Sequence, residues 1–145
     1  MPVSQYAYFA LMSEHTSAET IAAEVDLAPD EVWVRGSRRT EPRVVPRIHA
    51  WKLVCLDSGL RVDEQIERIV DRLRPRTERI ATCARRLEAE GGWATLNVVR
   101  SFGDPDDRAP TDAPNLFGWH LNREVMEFLL AVGAELDVDE YDLSE

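Results

Sequence analysis

The chain has 145 residues, 44% of them hydrophobic and 30% charged, with a formal net charge of -10 and a pI near 4.8. That length fits a single domain, 1–145, whose core needs no disulfide staple. The acidity opposes general nucleic-acid binding, which wants a net basic surface, and no apolar run reaches the roughly 20 residues of a membrane helix.

The opening MPVSQYAYFALM lacks a basic leader, so no signal peptide is expected, and Tyr6–Met12 reads as an aromatic strand. In the following SEHTSAETIAAEV, Thr16 and Glu19 form a capping-box pattern, and Ala18, Ile21, Ala22 and Val25 share one helical face. Pro29 ends that helix. Glu31–Arg35 (EVWVR) alternates with the period of a half-buried strand, and Gly36 closes it.

Ile48–Leu56 predicts a second strand of that kind, with Ile48, Ala50, Lys52, Val54 and Leu56 on one face and His49, Trp51, Leu53 and Cys55 on the other. The Trp51 side is the expected core face. From Val62 to Glu90 apolar residues recur at three and four, and Pro75 predicts a break at Arg74–Pro75. Gly91–Gly92 stops the second piece. Trp93–Phe102 predicts a strand, and Gly103–Gly118, with three prolines and four aspartates, a loop. Asn122 caps a helix over Arg123–Val132 that Gly133 ends, and Glu135–Leu143 closes the chain as a strand.

This order predicts an α+β fold: a mixed or mostly antiparallel sheet with helices on one face, in ferredoxin-like βαββαβ order, extended by a C-terminal helix and strand. In order along the chain, the strand YAYFALM, the run AETIAAEVDLAPDEVWVRG, the Trp-bearing HAWKLV, the paired IERIVDRLRPRTERI and the closing LNREVMEFLLAVGAELDVDEYD cover nearly the whole sequence. Together they resemble the bacterial domain-of-unknown-function 4279 family. The Pro/Asp loop Asp104–Pro114 departs from that pattern. The resemblance implies a small α+β domain and carries over no catalytic residue.

The residues themselves offer little chemistry. His15, His49 and His120 stand far apart in sequence, against the short spacing of a zinc site. There is no nucleophile elbow, Walker loop or dinucleotide fingerprint. Cys55 and Cys83, in no CxxC pair, read as reduced, buried thiols of a cytoplasmic protein. Asp137 and Asp139 share a strand face, and Asp104, Asp106 and Asp107 cluster in the loop. Neither group has the glycine and glutamate of a calcium loop, so both read as solvated charge. No catalytic residue, metal or cofactor is expected.

One stretch runs against the charge balance. Arg35–Arg47, RGSRRTEPRVVPR, holds five of the sixteen arginines and a single acid, Glu41; the only lysine is Lys52. The stretch is longer than a usual hairpin loop. It reads first as a solvated arm whose arginines pair with the chain's own acids, such as those of Glu135–Glu145. Its alternative is an arm that docks an anionic partner, with Arg35, Arg38, Arg39, Arg43 and Arg47 as forked donors beside Trp51 and His120.

The expected function is a non-catalytic binding module for protein–protein recognition, of immunity-type or accessory kind. Two alternatives stand beside it. One is a small-molecule-binding protein or hydrolase acting on an anionic substrate through Trp51, His49 or His120 with the arginines. The other is a homodimer that buries a sheet edge. Neither nucleic acid nor membrane is an expected partner.

Overall fold

The computed structural model describes residues 3–37, 45–104 and 117–144. Its elements follow in chain order: β1 (Val3–Ser13), α1 (Ala18–Val25), β2 (Glu31–Trp33), β3 (His49–Cys55), α2 (Val62–Leu73), a 3-10 turn (Arg74–Arg76), α3 (Thr77–Ala89), β4 (Trp93–Phe102), α4 (Arg123–Val132) and β5 (Ala134–Asp142). The fold class is the expected α+β, one mostly antiparallel five-stranded sheet in the order β2-β3-β1-β4-β5. β3 lies between β1 and β2, and β1 lies between β3 and β4, all antiparallel. β5 joins β4 in parallel and forms one edge.

Alternation along the strands decides which face the helices cover. Phe9 and Leu11 of β1, Trp51 and Leu53 of β3, and Leu96 and Val98 of β4 are fully buried in one cluster with Ile21, Ile66, Ile69, Leu73, Ile80, Leu87 and Phe128 from the helices. Burying each side chain of this size is worth about 1.5–3 kcal/mol. Trp51 is 0% exposed and donates its indole N–H to the Leu27 carbonyl at 3.1 Å. The Trp51 side is the helix-covered face, as expected, although the alternation of Ile48–Leu56 alone does not decide it.

Local chemistry sets the helix ends. Helix α1 begins one residue later than Thr16 as cap. Ser17 is the N-cap and accepts from the Thr20 N–H, while the buried Thr16 hydroxyl donates to Glu90 Oε2 at 2.9 Å. The tertiary bond to the end of α3 takes Thr16 away from the capping role. Pro75 breaks the long helical pattern at the predicted place, as a 3-10 turn over Arg74–Arg76. Asn122 and Gly133 bracket α4 as predicted, with Gly133 at φ 69.

Strand β2 is shorter than its alternation suggests, pairing with β3 only over Glu31–Trp33. Beyond Trp33, the Arg35 N–H donates to His49 Nδ1 at 3.1 Å, so an imidazole replaces the next rung of the ladder. Gly36 N–H then donates to the Pro46 carbonyl at 2.9 Å and closes the base of the arginine stretch. At the other end of β1 a buried polar group joins helix to sheet. Gln65 Nε2 donates to the Gln5 and Asp57 carbonyls, Gln5 Nε2 donates to the Leu60 carbonyl, and Arg100 Nε donates to Gln5 Oε1.

Candidate functional site

The side chains that alternate away from the helices form the sheet's second face, and the strand register fixes their neighbours. One row runs Glu31, Lys52, Ala10, Thr95, Glu135 from β2 to β5; the next runs Val54, Tyr8, Asn97, Asp137; a third runs Tyr6, Val99, Asp139. Trp33, Ala50, Met12 and Trp93 make a row on the other side of Lys52. Among the described residues no helix packs on this face.

At its centre the face is close-packed. Ala10, Ala50 and Met12 form a small second cluster against Tyr8, Trp33 and Ile48. Lys52 is 4% exposed, and its Nζ lies 3.6 Å from the Trp33 ring centroid and 4.3 Å from that of Tyr8. A lysine that keeps its stem on alanines and its ammonium between two π faces gains cation–π attraction where water is scarce. Tyr6 stacks on Tyr8 at 6.3 Å. Beside them the Thr95 hydroxyl donates to Asn97 Oδ1 at 2.7 Å.

The rim is acidic. Glu31 stands on the β2 side and Glu135, Asp137 and Asp139 on the β5 side. Their field reaches the phenols. Tyr8 is pushed up to about 12, first by burial, then by Tyr6, Asp139, Asp137 and Glu31. Tyr6 is raised by burial and then by Tyr141, Glu31 and Asp139. Negative charge that disfavours a phenolate favours any cation brought to the same place. Exposed aromatics complete the rim, with Trp93 41% and Tyr141 52% exposed. Among the described residues this surface combines rigid aromatic area and central hydrogen-bonding groups with carboxylates on its β2 and β5 sides.

Among the described residues, those singled out from sequence do not converge on one site. Trp51 packs in the core, on the face opposite to Lys52, and contributes burial rather than a ligand surface. Arg35 is exposed; its guanidinium donates to the Glu14 carbonyl at 3.1 Å. Arg47 is exposed at the foot of the same stretch. Arg38, Arg39 and Arg43 lie outside the described residues, as do Asp106 and Asp107. His120 pairs with Asp63 at 3.3 Å, near the start of α2 and the Gln5 end of β1. Arg35 sits at the Ser13 end, beside His49. Eight residues of strand, about 26 Å, separate those ends, so His120 does not join Arg35 or Arg47.

Other chemistry is similarly tied down. Cys55 and Cys83 are free and buried. The Cys83 thiol is pushed up to about 12, by burial first and then by Glu24, so it stays protonated. It lines an open groove of about 480 Å³ with Glu24, Glu78, Arg79, Thr82 and Arg86. There Arg86 is held 2.7 Å from Glu24 and 2.9 Å from Glu90. Among the described residues no group of three or more His, Cys, Asp or Glu is placed to hold a metal ion. None of the described helices is long and apolar enough to cross a membrane.

Sequence reading placed Lys52 opposite Trp51 but gave that face no role. The signals were present in Tyr6 and Tyr8 at strand spacing and in the sole lysine of an arginine-rich chain. What linked them was the strand order, which one sequence does not reveal.

No curated protein and no solved structure matches the chain. The model of the domain of unknown function DUF4279 matches residues 4–143, nearly the full length, and the chain therefore belongs to that family.

Proposed function

We propose that this protein is a recognition module without chemistry of its own, of immunity-type or accessory kind, which docks a basic surface of a partner protein on the open face of its sheet. A reducing compartment such as the cytoplasm suits its two buried free thiols. The observation that carries the reading is the Trp33–Lys52–Tyr8–Tyr6 array framed by Glu31, Asp137 and Asp139. Aromatic anchors surrounded by a polar rim are what protein hot spots are made of. The acids would steer a cationic partner and repel an anionic one. That charge favours this reading over one in which an anionic substrate is held beside Trp51, which the core encloses.

The test places a photo-crosslinking amino acid at Tyr6 and, in a second protein, at the α3 position Glu78, and irradiates each in extract of the source cells. The expected result is one protein of basic surface, identified by mass spectrometry, joined to the Tyr6 position only. Its yield should fall at raised salt and in Asp137→Lys/Asp139→Lys. Identical products from both positions, or capture indifferent to the charge reversal, would overturn the proposal.

A further inference from the structure

We infer that the outer edge of β5 takes up an extended segment of the partner protein, one whose residues alternate basic with apolar, as a further strand of the sheet. This rests on the protein-recognition reading above and adds where and how a partner would bind. β5 is nine residues long and forms the terminal strand beside β4. Parallel edge strands are ordinarily covered on both faces, and long open edges invite pairing. Here none of the described residues pairs with the outer side of β5, and its two faces differ sharply. Leu136 and Val138 align with the core residues Leu96 and Val98, yet stay 41% and 38% exposed. Glu135, Asp137 and Asp139 line the opposite face.

Helix α4 adds exposed apolar residues elsewhere on the helix-covered side of the sheet. Glu124 reaches across to Arg74 at 3.5 Å and so marks the flank of α4 that faces α2 and α3. At 3.6 residues per turn, Met126 and Leu130 fall away from that flank. They are 46% and 81% exposed. A strand laid along β5 would therefore meet Leu136 and Val138 with alternate side chains and the three carboxylates with the rest. Main-chain bonds would supply affinity and the alternation specificity.

The same alternation argues against a second copy of this chain as the occupant. Antiparallel pairing of β5 with itself about Val138 sets Asp137 against Asp139 twice and Leu136 against Glu140. Sliding by one pair sets Asp137 against Asp137 or Asp139 against Asp139. Like charges directly opposite destabilise a ladder. A segment carrying lysine or arginine at those positions converts the same contacts to attraction.

The probe is a peptide of about nine residues alternating lysine with valine, the length of one strand; its counterpart carries glutamate for lysine. Binding is read by fluorescence anisotropy and located by hydrogen exchange of the intact protein. The expected result is slowed exchange in β5, with the glutamate peptide at least about tenfold weaker. Asp137→Lys/Asp139→Lys should abolish that preference, whereas Glu78→Lys/Glu88→Lys on α3, which changes net charge equally, should keep it. Asp137→Asn/Asp139→Asn, with a melting curve for each variant, guards against misfolding as the cause. Protection located elsewhere, equal binding of both peptides, or a dimer in sedimentation overturns the inference. If Tyr6 crosslinking to a basic protein persists in that event, the open-face reading survives; if the peptide protects β5 while crosslinking fails, only that reading falls.

Discussion

The ammonium of Lys52 lies 3.6 Å from the centre of the Trp33 ring, across the register that pairs β2 with β3. Short β2 has only three paired residues, and this contact joins its last one to the body of the sheet. Lys52→Ala removes both the stem and the cation, and should lower the unfolding free energy by about 2 kcal/mol. Lys52→Met keeps the stem and should recover roughly half of that. Urea titration with tryptophan fluorescence reads both. Equal stability of the alanine variant and wild type would mean that the cation does not anchor β2.

Asp30 and Arg72 tie the approach to β2 onto α2. The guanidinium is bidentate, at 2.6 and 2.9 Å, and the same carboxylate accepts the Val54 N–H at 2.8 Å. Arg72 holds the Asp30 carboxyl below the usual carboxylate range, with the Val54 N–H assisting against desolvation. A carboxyl with a lower pKa folded than unfolded stabilises above its unfolded pKa, and that stability drains as pH falls through the folded value. Asp30→Asn should therefore cost about 1 kcal/mol at neutral pH, the scale of an exposed but well-aligned pair. The gap from wild type should close as pH falls below the ordinary carboxylate range. A gap constant with pH in urea melts would assign Asp30 a purely steric role.

Much of the fold could be read from local pattern because local chemistry decides it. Pro75 lacks an N–H, Gly133 adopts positive φ, Asn122 caps α4, and each lies where its sequence put it. Elements failed where a distant partner intervened: Glu90 took Thr16 from the α1 cap, and the His49 imidazole ended β2 early. The candidate surface was hidden for a further reason. Tyr8, Lys52 and Asp137 come from three strands, and the register that sets Tyr8 beside Val54 and Asn97 is set by long-range pairing. Arginines near one another in sequence drew attention, while the residues that converge in space are widely separated along the chain.

Gly92 is held by space rather than by its backbone angle. A Cβ there would run into the Met12 carbonyl oxygen and press on Leu87, both backbone and core atoms that cannot swing aside. The Gly92 N–H also donates to the Leu87 carbonyl at 2.7 Å, closing the C-terminal turn of α3. Gly92→Ala should lower stability by about 3 kcal/mol, the upper range of overpacking. Gly118→Ala, where nothing lies within 4 Å, should cost less than about 1 kcal/mol. Thermal melts of the two variants compare them directly; similar losses would contradict the close packing at Gly92.

Tyr8 offers a reading of the acidic rim that needs no partner. Burial raises its phenol first, and Tyr6, Asp139, Asp137 and Glu31 add to the shift, up to about 12. An acid whose folded pKa exceeds its unfolded value binds more protons when folded, so its contribution to stability is full below about pH 10 and declines as pH climbs through 12. Phenolate absorbance in the wild type should thus show a late-titrating tyrosine that disappears in Tyr8→Phe. Asp137→Asn/Asp139→Asn should bring that step to lower pH, by less than the whole shift because burial is the larger cause. An unmoved step would show that the β5 carboxylates exert no field at the centre of the face, removing the electrostatic argument for a cationic partner there.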